Sequence, residues 1–430
     1  MTRIAKILAR EVLDSRGNPT VEAEVHVTGG AWGRAIVPSG ASTGAAEAYE
    51  LRDTASSRYD GRGVTQAVDH VAAVIGPALV GLDPVDQQAV DARLNQLDDS
   101  PRKTRLGGNA ILSVSLATAH AAAAVRRVPL YRHVADLCQQ LDTGAPGPRM
   151  PTPMINMISG GLHAGGNLDF QDFLIIPSGA QSIATALERS VRVYRCLGQL
   201  LADAGYEGRL VGDEGGYGPR LPSNAAAAEF VVRAIEAAGL RPGHDITLAI
   251  DVASTHFHAG SHYRLAATGE SWLTSAQMID QLAELVEKFP ITSIEDGLAE
   301  DDWPGWQQLT ARLGKKIRLV GDDLFATSAL RLRHGIEVGA ANSVLIKVNQ
   351  IGTLSETLET IQLARTSGYG YVVSARSGET EDTTIADLAV GTAADSIKIG
   401  AIVRGERLAK YNQLLRIAEE LHAHGGPPAG

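Results

Sequence analysis

The sequence is poor in cysteine, in lysine and in uninterrupted apolar runs. Cys138 and Cys196 are its two cysteines in 430 residues. Their spacing suits neither a disulfide framework nor a thiolate metal site, so a reducing, cytoplasmic setting is expected. The N-terminus, MTRIAKILAREVLDSRG, lacks the continuous apolar core of a secretory signal. The most apolar stretch, Ala110 to Val125, is broken by Ser113, Ser115, Thr118 and His120. It is too short and too polar to span a bilayer and reads as a buried helix. A net charge of −10 argues against nucleic-acid or anionic-membrane partners. It leaves room for an acidic substrate, because a bound cation inverts the local field. No Gly-Lys-Ser/Thr follows a glycine-rich loop, which excludes a Walker-type phosphate cradle. There is no internal repeat or low-complexity tract.

What is present is a βα rhythm. The first part, residues 1–138, begins with strand-like alternation at Thr20–Val27 and Ala31–Val37, joined by the hairpin signal Thr28-Gly29-Gly30. Helical stretches are expected at Ala45–Arg52, Thr65–Val74, Pro84–Leu97 and Asn109–Val125. Strands followed by helices suggest an α+β domain. Residues 139–151, with the Gly/Pro-rich DTGAPGPRMP run, form the natural linker. Residues 152–422 start with two strands, Met154–Ile158 and Phe170–Ile176, then two helices, Ile183–Ala204 and Ala225–Ala238. A strand at Ile246–Asp251 follows, and strand and helix then alternate to the end. That order implies an α/β architecture: an α+β cap and an eight-stranded (β/α)8 TIM-type barrel beginning ββαα. The tail, 423–430, ends GGPPAG and is expected to be disordered.

Six charged residues punctuate the barrel region. Asp251, Glu295, Asp322, Lys347, Arg376 and Lys398 fall in or close after the strand-like runs LAID, TSIED, IRLVGDD, SVLIK, YVVSAR and DSIKI. Charges at successive parallel strand ends converge on one mouth if the strands close into a barrel. One such charge alone is usually solvated; three acids at consecutive strand ends suit a hard cation such as Mg²⁺. Only eight lysines stand against 31 arginines, so Lys347 and Lys398 inside apolar strands are conspicuous. Desolvation and nearby positive charge should lower the pKa of one, making it a base, while the other holds a developing carboxylate dianion. Arg376-Ser377-Gly378 supplies a guanidinium and hydroxyl for a phosphate. Val211-Gly-Asp-Glu-Gly-Gly216 offers Glu214 as an acid, and GGLHAGG places His163 in a loop. Pro38–Gly44 is a small-residue loop suited to closing over a ligand.

The stretches DSRGNPTVE, VPSGASTG, HAGGNLDFQ, VGDEGG, GDDL, LIKVNQIGTL, SARSGETEDT and ERLAKYNQLLRI together resemble the enolase family over nearly the whole chain. The resemblance implies a hydro-lyase acting on 2-phosphoglycerate. Asp251, Glu295 and Asp322 would bind one Mg²⁺, and Ser39 would help a second, arriving with substrate, bridge to the phosphate. Lys347 would remove the C2 proton, and Lys398 would stabilise the aci-carboxylate. Glu214 would assist loss of the C3 hydroxyl. Arg376 and Ser377 would hold the phosphate, and His163 and Gln171 would complete the pocket. A homo-oligomer, dimer or octamer, is also implied.

The chain departs from the family pattern on one wall. Gln-Glu-Phe becomes Gln171-Asp172-Phe173, and Ser-His-Arg-Ser-Gly becomes Ser374-Ala375-Arg376-Ser377-Gly378. Asp172 belongs to the catalytic set but is one methylene short. Three readings follow. One is an enolase making phosphoenolpyruvate. Another is a paralogue dehydrating a modified, for example phosphonylated, 2-phosphoglycerate, as carboxyphosphonoenolpyruvate synthase does in phosphinate antibiotic biosynthesis. The third is an inactive binding protein, which would have no need for three acids and two strand lysines together.

Overall fold

The computed structural model describes residues 2–40, 44–267, 269 and 271–423. Three strands, β1 (Ile4–Leu13), β2 (Pro19–Val27) and β3 (Trp32–Ile36), form an antiparallel sheet in the order β1-β2-β3. Its apolar face, including Val21, Ala23 and Val25, is covered by the helix Gly108–Arg126. That helix is long and apolar enough to cross a membrane by length and composition, yet it is the buried centre of the cap. Its hydroxyls are absorbed internally: Ser113 and Thr118 donate to the carbonyls of Ala110 and Val114, each at 2.8 Å, and Ser115 donates to Asp91 at 2.7 Å.

Eight further strands close a barrel: β4 (Thr152–Ser159), β5 (Asp172–Ile176), β6 (Thr247–Asp251), then β10 (Ile291–Glu295), β11 (Arg318–Gly321), β12 (Ser343–Ile346), β13 (Gly370–Ser374) and β14 (Ser396–Gly400). Between β6 and β10 lie three short strands, β7 (His258–Ala259), β8 (His262–Leu265) and β9 (Ser271–Leu273), which form a small antiparallel sheet of their own. All barrel neighbours are parallel except β5, which runs antiparallel to both β4 and β6. The helices Ile183–Asp203 and Asn224–Ala237 separate β5 from β6, and single major helices separate the later strands. The ββαα start expected from sequence is therefore what the barrel has. Met154, Leu174, Val320, Leu345 and Val372 meet in its interior as an apolar plug.

Several expectations change. Residues 45–52 are not helical: Ala48 N–H donates to Gln350 O and Tyr49 N–H to Arg102 O, each at 2.7 Å, so tertiary contacts take the bonds a helix would use. β1 and the helix Leu130–Leu141 were not anticipated, and that helix runs on past residue 138. Of the Pro38–Gly44 loop, residues 41–43 lie outside the described residues, as does the tail 424–430.

Candidate active site

The barrel brings the predicted charges to one end. Asp251 closes β6 and Glu295 closes β10, and the two are register partners. Asp322 and Lys347 follow β11 and β12 directly, Arg376 lies just past β13, and Lys398 is the third residue of β14. Because β5 is antiparallel, its first residue, Asp172, reaches the same mouth and pairs in register with Asp251. Gln171 precedes it and donates to Asp251 Oδ2 at 3.2 Å. All are buried apart from Lys347, which keeps slight exposure.

Three groups form within this mouth. In the first, Lys398 Nζ lies 2.7 Å from Asp251 Oδ2 and 2.9 and 2.8 Å from the two Glu295 oxygens. In the second, Lys347 Nζ donates to Asp322 Oδ2, whose other oxygen accepts from Gln350 Nε2 at 2.8 Å. In the third, His163 Nδ1 meets Asp172 Oδ2 at 2.8 Å, while Asn156 Nδ2 and Ser159 Oγ donate to Asp172 Oδ1. Glu214 joins this group, with its carbonyl accepting from Ala401 N–H at 2.8 Å.

These pairings decide the charges. Burial opposes ionisation of both lysines. The acids together outweigh it, Asp322 with Glu295 for Lys347 and Asp251 with Glu295 for Lys398, so both pKa values are raised. The expected lysine of lowered pKa is thus absent from this arrangement, because each amine has a carboxylate against it. Burial, then the Asp251 charge, raise Glu295 well above the carboxylate range. Burial also opposes charge on His163, but Asp172 and Glu214 push it up to about 9. For Asp172, burial outweighs the imidazolium and its pKa rises; for Glu214, burial is opposed by His163, Arg407, Lys398 and Lys347 together, and its pKa falls.

Arg376 and Ser377 do reach the mouth, and cap residues already grip them. Arg376 makes a buried ion pair with Glu47, Nη1 to Oε2 at 3.0 Å, and donates to Asn349 Oδ1 at 2.9 Å. Arg16 donates to Ser377 Oγ and to Ser39 Oγ, each at 3.4 Å. Ser39 is tied to Arg52 at 3.0 Å and to Glu50 at 3.1 Å, and its backbone pairs in both directions with Gly378. Sequence reasoning missed Glu47, Gln350, Asn349 and Arg16, all of which sit inside or next to the matching motifs. Their partners lie on distant elements, so no local spacing signals them.

The donors suit a cation. Among the described residues, two groups have ligand atoms all within 4.8 Å of one another: His163–Asp172–Glu214 and Asp296–Asp322–Asp323. Asp251 and Glu295 share Lys398, and Asp322 pairs with Lys347, so the three expected ligands are divided between two amines. The set is carboxylate-rich, as a hard divalent ion requires. Gln171 Oε1 beside it is buried without a hydrogen-bond partner among the described residues.

A family model for the enolase C-terminal TIM barrel domain matches residues 148–426, and one for the enolase N-terminal domain matches residues 4–134. Enolase-family domains imply divalent-metal binding, in keeping with the acidic clusters. With cap, barrel and mouth agreeing, the chain belongs to the enolase family and is an enolase-like hydro-lyase.

Proposed function

We propose that this protein is a Mg²⁺-dependent hydro-lyase that dehydrates 2-phosphoglycerate, or a close analogue, to a phosphoenolpyruvate-type product. The observation that carries this is the convergence of Asp251 and Glu295 on one positive centre, Lys398 Nζ, with the Asp322–Lys347 pair on the adjoining strand ends. Asp251, Glu295 and Asp322 would hold one Mg²⁺, and Ser39 would serve a second that arrives with substrate. An ion held by these acids would supply positive charge to the substrate carboxylate and so acidify its α-carbon. Freed from Asp322, Lys347 loses the partner that keeps it charged and takes the C2 proton. Lys398 stays charged and holds the carboxylate dianion. Arg376 and Ser377 take the phosphate. On the opposite side, the proton resting on His163 between Asp172 and Glu214 supplies the departing C3 hydroxyl, which leaves as water.

A second reading has its own support. Ala375 puts a methyl where the family pattern has an imidazole, and its N–H is spent on Lys398 O at 2.8 Å. From Gln171 outward, the mouth continues into a cavity of about 480 Å³ whose lining includes Arg220, Arg264, Asp169 and His256, the last with its pKa lowered by burial. The room, with two arginines on its wall, favours a substrate larger than 2-phosphoglycerate, such as a carboxyphosphono analogue. Comparing turnover of the two substrates with Mg²⁺ decides between them. Ordinary turnover of 2-phosphoglycerate supports the first reading, preference for the larger acid supports the second, and failure on both with no Mg²⁺ binding overturns the hydro-lyase.

A further inference from the structure

The far end of the barrel is built against the usual pattern. Side chains two residues apart on a strand share a face. Met154, Ala249 and Val320 lie in the apolar plug, and Glu295 and Lys398 in the catalytic mouth. Two positions earlier on the same strands stand Thr152, Thr247, Arg318, Ser293 and Ser396, which form the layer at the N-terminal mouth. Barrel layers are normally filled by branched apolar residues. Here hydroxyls and a guanidinium take their place and line a cavity of about 520 Å³. Lys315 and Lys316 stand at the rim, a quarter of the chain's lysines.

Two groups in the cavity could take an anion. Ser293 is 1% exposed, and its Oγ makes no hydrogen bond among the described residues. Arg318 is half-buried, and its Nη1 donates to Ser396 Oγ at 2.9 Å. No carboxylate is within ion-pair distance of it among the described residues. Burial lowers its pKa, and the more distant Asp395 offsets only part of that. Asp395 is itself engaged, 3.5 Å from Arg149 and accepting from Tyr371 N–H at 3.1 Å. A half-buried guanidinium with no direct ion pair gains from an anion that accepts from both it and a buried hydroxyl.

We propose that the N-terminal mouth of the barrel is a binding site for a small oxyanion of the phosphate class, held by Arg318, Ser293 and the Lys315–Lys316 rim. The apolar plug separates it from the catalytic mouth, so the site stands whether or not the proposed reaction is correct. Binding there joins strands β10, β11 and β14 at the base of the barrel and stabilises the folded state by mass action.

The test is isothermal titration of inorganic phosphate into the full chain, its Arg318→Met variant and its Lys315→Ala/Lys316→Ala variant. Neither variant touches the catalytic mouth, so phosphate bound there cancels in the comparison, and turnover should be unchanged. One binding event should weaken about 10–100-fold in Arg318→Met, the loss expected for charge-assisted hydrogen bonds. It should weaken to a smaller degree, and in a salt-dependent manner, in the rim variant. Isotherms that superimpose on the parent's in both variants overturn the proposal. If Arg318→Met fails to fold, the exposed-lysine variant alone decides in the same way.

Discussion

At the scale of single residues, the site is an arrangement of proton positions. Lys347 is charged while Asp322 faces it, so its service as a base depends on that acid being drawn elsewhere. Lys347→Ala should abolish exchange of the C2 hydrogen with deuterated solvent and lower turnover by about 10²–10⁴-fold. Mg²⁺ affinity, read by calorimetry, should stay close to the parent's, and exchange that persists would place the base elsewhere. His163 carries the other proton. Its folded pKa of about 9 lies above the ordinary value, so its pairing with Asp172 stabilises fully below about pH 6.5 and fades as pH rises through about 9. Thermal unfolding followed from pH 6 to 9.5 should show the parent losing more stability than His163→Gln over that window. Equal losses would mean that the imidazole is neutral in the fold. The altered wall can be examined in the same way. Asp172→Glu with Ala375→His should raise turnover of 2-phosphoglycerate at least tenfold if the pocket is a weakened form of the family's. No gain would favour the enlarged substrate.

Among the elements, the segment after β3 matters most, because it straps the cap to the phosphate grip. Ser39 and Gly378 exchange backbone hydrogen bonds at 2.8 and 2.9 Å, which places Ser377 against the cap. A Cβ at Gly378 would meet Arg16 Nη2 and Ser39 O, each at 2.6 Å, and Asp14 Oδ2 at 2.7 Å. Gly378→Ala should therefore push the strap from the barrel and lower kcat/KM about 10²-fold, since small displacements of positioning groups have effects of that order. Melting temperature should fall only modestly; unaltered kinetics would show that the strap does not position the grip. The same segment shows where sequence reading stops. The ends of β6, β10, β11 and β12 were legible because apolar runs closing on a charge are local patterns. Residues 45–52 looked helical by composition, yet their amides bond to Gln350 and Arg102, far away in sequence. β1 escaped notice because IAKILAREVL lacks clean alternation: only Ile4 and Ile7 are buried in it, three residues apart. Asp172 was found through resemblance alone. Its place at the mouth follows from the reversed direction of β5, which no spacing in the sequence reveals.

For the molecule as a whole, cap and barrel are joined by buried polar contacts as well as by apolar packing. Asp91 of the helix Gln87–Leu97 accepts from Ser355 N–H at 2.9 Å and from its hydroxyl at 2.7 Å. Asp387 of the barrel accepts from Tyr131 N–H at 3.2 Å. The central tie is Glu47–Arg376, in which a cap carboxylate holds the guanidinium proposed to bind phosphate. One ion pair thus links domain docking to the readiness of the site. Removing Glu47 leaves Arg376 buried beside Asn349 with its main counter-charge gone. Breaking a buried pair from one side typically costs about 3–5 kcal/mol. Glu47→Ala should therefore lower the unfolding free energy by that order, and phosphate or substrate should restore much of the loss by supplying a new anion to Arg376. Denaturant unfolding with and without 2-phosphoglycerate reads both effects. If ligand stabilises the variant no more than the parent, Arg376 is not the phosphate contact, and the tie between cap and barrel is structural alone.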